Sequence, residues 1–341
     1  MLMLDVNLLT WNGARYLPKL FASLRQQTCR DWALHVRDNG STDGTWEAIA
    51  DATASFPVPV DRARNTTNLG FAVGHNQLLA ETSAPFVLLL NQDTILAPDY
   101  CAGLLAVFAA EPRAAAAQGV LLRWQMDAAE ACERSVVIDT LGLRVLRNRR
   151  VVEWHAGERW PISALAASAY TEVFGISGAL AMYRRAALAE VAFSGEVLDA
   201  DFVSYKEDVD LAFRLRTAGW SAYLASRAQA WHDRTASGPR AWGDVAAARH
   251  RVGRTAFVRR YSYRNHLAML IKNEHAENLV RDWPAILWYE GKKFLYLLLR
   301  EPATLGGLRD LWRLRDRWRA KRAKVMGQVR ITPTHLRRWF R

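Results

Sequence analysis

Cysteine is scarce in this sequence: 341 residues contain only Cys29, Cys101 and Cys132, with no Cys-x-x-Cys pair. An odd and widely spaced set argues against a disulfide framework and a zinc knuckle, and fits a reducing compartment. Neither Gly-x-Gly-x-x-Gly nor Gly-x-x-x-x-Gly-Lys occurs, which weighs against a dinucleotide oxidoreductase and a P-loop NTPase. Long hydrophobic runs are missing too. The longest candidate, WPAILWYEGKKFLYLLL, is broken by Glu290, Lys292 and Lys293 and does not read as a membrane span. No internal repeat or low-complexity tract is evident. The opening MLMLDVNLLTWN lacks a basic leader and carries Asp5 inside its apolar stretch, so it reads as a first strand, and the expected location is the cytosol.

What is present is ordinary for a folded soluble protein: 50% hydrophobic and 23% charged residues, enough for one large core or two smaller ones. Charge is unevenly spread. Of a net +12, residues 249 to 341 hold 23 of the 46 Lys and Arg but only 7 of the 34 Asp and Glu, leaving a mildly acidic body ahead of a strongly basic tail. Such a tail suits a polyanion, either anionic lipid or nucleic acid. In it, LRDLWRLRDRWRAKRAKVM sets Leu308, Leu311, Trp312 and Trp318 near one helical face among cations, a composition that suits lying in a headgroup layer. Packing on the body or on a protein partner is the plain alternative. No nucleic-acid module is recognised, and nucleic acid is not an expected partner.

From residue 2 to about 125, short apolar runs (MLDVNLL, ALHVRD, PVDRAR, PFVLLLNQD) alternate with helical patterns, the mark of βαβ units building a parallel sheet. Each run ends in a loop of Asn, Asp, Gly or Thr, and open α/β sheets bind ligands outside the carboxyl ends of their strands. PFVLLL reads as a buried central strand. Residues 126 to 172 read as a hairpin and loops covering one edge, FGISGALAMYRRAAL as a strand then a helix, and FVSYKEDVDLAFRLRTAGW as a helix closed by Gly219. SAYLASRAQAWHD supplies one or two last strands. After Pro239 the pattern is helical, with segments at 244–271, 281–300, 304–326 and 332–340.

Several loop residues suggest chemistry. Trp11, at a strand end, can stack on a base or sit at the edge of the core. Asp38 is a carboxylate placed to accept a hydrogen bond from a base N–H, in a loop whose other residues serve turn and cap chemistry. The amide-rich loop Asn65–Asn76 ends in Gly70 and Gly74, which permit close backbone approach. Asp93, at the mouth of the buried strand, is placed to hold a hard cation. Ser204-Tyr205-Lys206-Glu207 has capping-box spacing, so Glu207 could reach back to the helix start, whereas Asp208 in the first turn is poised to accept a proton. His232 taken alone is an ordinary structural histidine.

Taken in order, LLTWN, DNGSTDGT, NLGFAVGHN, NQD, SGALAMYRR, KEDVDLAFRLRTAGW and Trp231-His232 span roughly residues 3 to 235. The series resembles the inverting GT-A glycosyltransferases of family 2, above all the rhamnosyltransferase-like branch. The resemblance implies an α/β, Rossmann-like GT-A fold, with a mostly parallel central sheet flanked by helices and a C-terminal amphipathic helical extension. It implies a nucleotide sugar held by Thr10, Trp11, Asn12, Asp38, Asn39, Asn68, Gly70, Asn91 and Gln92. Asp93 would hold Mg2+ or Mn2+, with His232 as a further ligand, and the Glu207-Asp208 pair would be catalytic, Asp208 as the base. Where the family has Asp-x-Asp this chain has Asn91-Gln92-Asp93, an amide in place of the first carboxylate.

The expected organisation is a catalytic domain over 1–239, divided into a nucleotide-sugar half (1–125) and an acceptor half (126–239), then a basic helical region (240–341) that associates with an anionic membrane surface. The expected reaction is inverting transfer of a sugar, foremost L-rhamnose from dTDP-rhamnose, to a glycan or polyprenyl-diphosphate-linked acceptor in surface polysaccharide assembly. It would take place on the inner face of the cytoplasmic membrane. A UDP-sugar-dependent transferase and a non-catalytic nucleotide-sugar-binding protein are the alternatives.

Overall fold

The computed structural model describes residues 2–126, 134–233 and 253–341. Cys132, Pro239 and the 244–252 part of the first expected C-terminal helix lie outside the described residues. The first half alternates as its pattern predicts: β1 (Leu4–Thr10), α1 (Leu17–Arg25), β2 (Trp32–Asp38), α2 (Thr45–Thr53), β3 (Val60–Arg64), α3 (Phe71–Glu81), β4 (Phe86–Asn91), a short β5 (Thr94–Leu96) and α4 (Tyr100–Ala110). Next come β6 (Ala114–Trp124), β7 (Arg134–Thr140), β8 (Leu143–Val145), β9 (Val151–Glu153), the single turn α5 (Ser163–Ala166), β10 (Tyr170–Val173), β11 (Leu180–Arg184), α6 (Arg185–Val191), α7 (Glu207–Thr217) and β12 (Ser221–His232). The C-terminal part is helical: α8 (Ala256–Asn273), α9 (Ala276–Arg300), α10 (Gly306–Arg313), α11 (Arg315–Gly327) and α12 (Pro333–Arg337).

The main sheet runs β10-β12-β6-β11-β4-β1-β2-β3, with β5 added to β12 and β7 to β6. Strands β3, β2, β1 and β4 are parallel, β11 is antiparallel to both β4 and β6, and β12 is parallel to β6. Strand β4 sits in the middle, as its unbroken apolar run requires. Phe86, Leu88 and Leu90 join the core beneath α1, α2 and α4, while Val87 and Leu89 join a second core with α3, α6 and α7. Both faces are covered, so an alternating polar position would leave an unsatisfied group. Strand β12 is single but interrupted: its ladder with β6 skips between Ala225 and Gln229. Gly119 faces that bulge, where a Cβ would lie 2.3 Å from the Ala228 carbonyl oxygen. Only glycine fits there.

Helix α7 ends as expected, with Gly219 at φ +79 just past its last turn. The C-terminal helices are built into the body. Ala268, Met269, Trp318, Leu336 and Phe340 share a third core with Phe174, Phe202 and Phe213. A buried ionic network reinforces the joint. Lys272 of α8 bonds Asp199 and lies 2.9 Å from Asp210, Lys321 of α11 bonds Asp199 and lies 2.6 Å from Asp201, and Arg149 pairs with Glu274 and Asp282.

Candidate active site

The parallel register aligns the carboxyl ends of the strands: Thr10 opposite Asp38, Asp38 opposite Arg64, and Leu9 opposite Asn91. Adjacent loops are thereby stitched together. Asn39 N donates to the Thr10 carbonyl at 2.8 Å, and Asn39 Nδ2 donates to Asn68 Oδ1 at 2.9 Å and to the Gly70 carbonyl at 3.3 Å. Asp38 is fully buried and already occupied, accepting from Ser41 N and Oγ and from Thr10 Oγ1, with Arg64 Nε at 3.1 Å. It shapes the loop from within. Asn12, at φ +47, uses its Oδ1 to accept from Thr42 N at 2.9 Å. Gln92 clasps the Trp11 backbone from both sides, accepting from its N–H at 2.9 Å and donating to its carbonyl at 3.0 Å, while the Trp11 residue is 50% exposed. The ring therefore stands on a fixed backbone at the mouth of the sheet, free to present an aromatic face.

Asp93 and His232 are brought together by the β5–β12 pairing, which puts His232 opposite Thr94. His232 Nε2 is 3.4 Å from Asp93 Oδ1, and Nδ1 is 2.9 Å from Asp139 Oδ2. Burial opposes the imidazolium, but the carboxylates on both sides outweigh it and push the His232 pKa up to about 10. Next door, burial and the Asp93 charge raise Asp233, although Tyr16 donates to it at 3.1 Å. Asp139 was not singled out in the sequence. Its only signal is a carboxylate closing the apolar run SVVI, and its partner lies 93 positions away.

A divalent cation would take the place of the proton that His232 Nε2 shares with Asp93 Oδ1. A carboxylate oxygen and a ring nitrogen converge, and a carboxylate on the second nitrogen is what orients a ligating histidine. Among the described residues no group of three or more His, Cys, Asp or Glu side chains could hold a metal. The pair therefore suits a hard cation that completes its shell with substrate phosphate oxygens. Asn91, in the position of the first carboxylate of Asp-x-Asp, has its backbone N–H bonded to Ala179 O at 3.0 Å.

That bond carries the mouth of β4 toward Glu207 and Asp208. One residue before Ala179, Gly178 N donates to Asp208 Oδ2 at 3.1 Å, and Gly178 also packs against Phe71 at the start of α3. The capping box expected at Ser204–Glu207 does not form: the N-cap is Lys206, left-handed at φ +76, and no side chain caps the helix. Glu207 instead points into the protein. Its Oε2 has no hydrogen-bond partner, and burial together with the Asp208 charge pushes its pKa up to about 8. Glu207 is thereby neutral at pH 7 beside the partly exposed Asp208.

A sheet of this order, with helices on both faces and loops gathered at its carboxyl end, defines a GT-A fold. Solved structures of that shape include a mannosyltransferase from Pyrobaculum calidifontis in complex with GDP-Man and Mn2+ (TM-score 0.54, 16% identity, 96% of this chain and 85% of that one). Another is residues 1–349 of S. aureus TarS in complex with UDP (TM-score 0.53, 15% identity, 99% and 92%). The chain belongs to glycosyl transferase family 2, whose sequence pattern matches residues 6–192. It is a glycosyltransferase that takes its sugar from a nucleotide donor. Among curated proteins it is similar to the N-acetylglucosaminyl-diphospho-decaprenol L-rhamnosyltransferase of Mycobacterium tuberculosis, 27% identical over 269 residues, covering 73% of this chain and 81% of the relative.

Proposed function

We propose that the protein is an inverting rhamnosyltransferase that moves L-rhamnose from dTDP-rhamnose to a hydroxyl of a polyprenyl-diphosphate-linked sugar. The observation that carries the reading is Asp208, held by the Gly178 N–H at 3.1 Å beside the end of the central strand. The nucleoside lies against Trp11 and the Asn39–Asn68–Gly70 loop, with Thr10, Asn12 and Asp38 shaping its floor and Gln92 and Asn91 closing the side toward the diphosphate. Asp93 and His232 would hold a divalent cation, which when bound supplies positive charge opposite the diphosphate. In the transfer the acceptor oxygen bonds to the anomeric carbon, the bond from that carbon to the diphosphate oxygen breaks with its electron pair leaving on the diphosphate, and Asp208 takes the hydroxyl proton. Glu207, uncharged at pH 7, keeps the pair from carrying two negative charges.

Helix α9 supports a lipid-linked acceptor. Its buried residues are Asn278, Asp282, Ile286 and Leu297, while Trp283, Leu287, Trp288, Leu295 and Leu299 point outward, Leu299 being 70% exposed. An outward face this rich in Trp and Leu needs a cover, and the surrounding Arg and Lys suit an anionic lipid surface at the cytoplasmic face of a membrane. Among the described residues no helix is long and apolar enough to cross one.

The test is Asp208→Asn assayed with dTDP-rhamnose, Mn2+ and an N-acetylglucosaminyl-diphospho-lipid. Turnover is expected to fall by about 10²- to 10⁴-fold while dTDP still raises the melting temperature as in the wild type. Near-normal turnover removes Asp208 from its role. A UDP sugar is the second reading, since uracil and thymine offer the same N3–H edge to the loops, and running UDP beside dTDP in the melting assay separates the two.

A further inference from the structure

The turn that delivers Glu207 and Asp208 has an unusual backbone. Val203, Tyr205 and Lys206 all have positive φ, at +64, +73 and +76. None is glycine, and a β-branched residue at such a φ is a genuine outlier that surrounding contacts must hold. The contacts come from the C-terminal region. Asn265, on α8 and fully buried, directs its Nδ2 at three carbonyls of this turn: Phe202 at 2.9 Å, Ser204 at 2.8 Å and Tyr205 at 2.8 Å. An amide has two N–H bonds, so one of them is shared. The amide cannot reverse without loss, because its Oδ1 accepts from Arg264 Nε at 2.9 Å, and Arg264 itself donates to the Asp201 and Phe202 carbonyls. On its other side the turn meets the donor loop: a Cβ on Gly70 would lie 2.8 Å from the Val203 carbonyl oxygen.

We infer that Asn265 is a positioning residue for the transfer: its side-chain amide holds the left-handed 203–206 turn in the shape that sets Asp208 at the sheet mouth and the turn against Gly70. The role rests on Asp208 being the base. It makes α8 part of the catalytic apparatus, in addition to whatever the outer helices do at a membrane. Asn265 bonds the 202–205 carbonyls and Arg264 and reaches the donor loop only through the Val203–Gly70 contact, so its loss acts chiefly on the proton-transfer step and weakens donor binding far less.

The experiment compares full-length wild type, Asn265→Ala and Asn265→Ala/Val203→Gly by melting temperature, kcat, donor KM and amide hydrogen exchange across residues 203–208. In Asn265→Ala, exchange in the turn is expected to rise about tenfold or more. Its kcat falls about 10²-fold, the low end of what a positioned base contributes, while donor KM stays within about threefold. Val203→Gly returns about tenfold of the lost kcat, because glycine takes φ +64 without a Cβ clash. If the alanine variant does not accumulate as folded protein, Asn265→Ser, which keeps one donor, is read by the same criteria. Exchange and kcat both within about twofold of wild type overturn the inference. So does a loss that the glycine leaves unrelieved and that appears equally in donor KM. Exchange needs no substrate, so an Asp208→Asn enzyme that still turns over defeats the assignment of the base, while the turn's exchange continues to judge the clamp separately.

Discussion

Replacing Lys272 with methionine tests whether the C-terminal helices are bonded into the fold. The ammonium is fully buried between Asp199 and Asp210, with Arg214 Nε also on Asp210 at 2.9 Å and Lys321 also on Asp199. Methionine fills most of the volume, so the loss is mainly electrostatic: two buried carboxylates each lose one of their cations. Removing one partner from a buried ion pair costs about 3–5 kcal/mol. With an unfolding entropy of about 2.1 cal/mol/K per residue, that lowers Tm by about 4–7 °C for a chain of this length. The effect also has a pH signature. Burial raises the Asp199 pKa, but Lys272 and Lys321 outweigh it and hold the carboxyl at about 2, below its ordinary 3.8. A carboxyl depressed on folding contributes stability above its unfolded value and loses it as pH falls through the folded one. In Lys272→Met the carboxylate is less stabilised, so acid relieves the variant while it weakens the wild type. Scanning calorimetry should show the full difference at pH 7, narrowing from about pH 4 toward pH 2. A Tm change below about 1 °C at pH 7, or a difference that widens in acid, would refute the reasoning.

Two further predictions follow from the site and from the outward face of α9. Glu207 has a folded pKa of about 8 against an ordinary 4.5, so its contribution is most favourable below pH 4.5 and is lost as pH rises toward about 8. Glu207→Gln has no such loss, and its melting temperature should exceed that of wild type by more at pH 8 than at pH 5; a gap independent of pH contradicts the buried neutral carboxyl. Trp283 and Trp288 are 56% and 68% exposed, and replacing both with serine should cut recovery on floated anionic vesicles by about tenfold or more without lowering Tm. Unchanged recovery removes α9 from membrane contact.

Most of the first 125 residues was legible because its determinants are local. Period-two and period-3.6 patterns place β1 to β4 and α1 to α4, and loop residues such as Asp38, Asn68 and Asp93 follow once strand ends are known. The misreadings have non-local causes. Ser204–Glu207 carries capping-box spacing, yet Asn265 and Gly70 hold the turn in a left-handed form that a short-range rule does not foresee. The pattern places a helix at 281–300, but α9 begins at Ala276 and runs through Pro284. Segment 304–326 divides at Leu314 into α10 and α11, which pack separately on α8.

The amino-acid order alone determined which residues are strands, which loops follow them, and that carboxylates and amides end those strands, since each depends on neighbours a few positions away. Tertiary structure decided the rest: that Asp139 and Asp93 flank His232, that Gly178 holds Asp208, and that the basic C-terminal helices are anchored by buried ion pairs before any partner is considered. These contacts join residues 30 to 139 positions apart. No short-range pattern encodes such pairs, because their energy appears only when the sheet and the helices have closed on each other and excluded water.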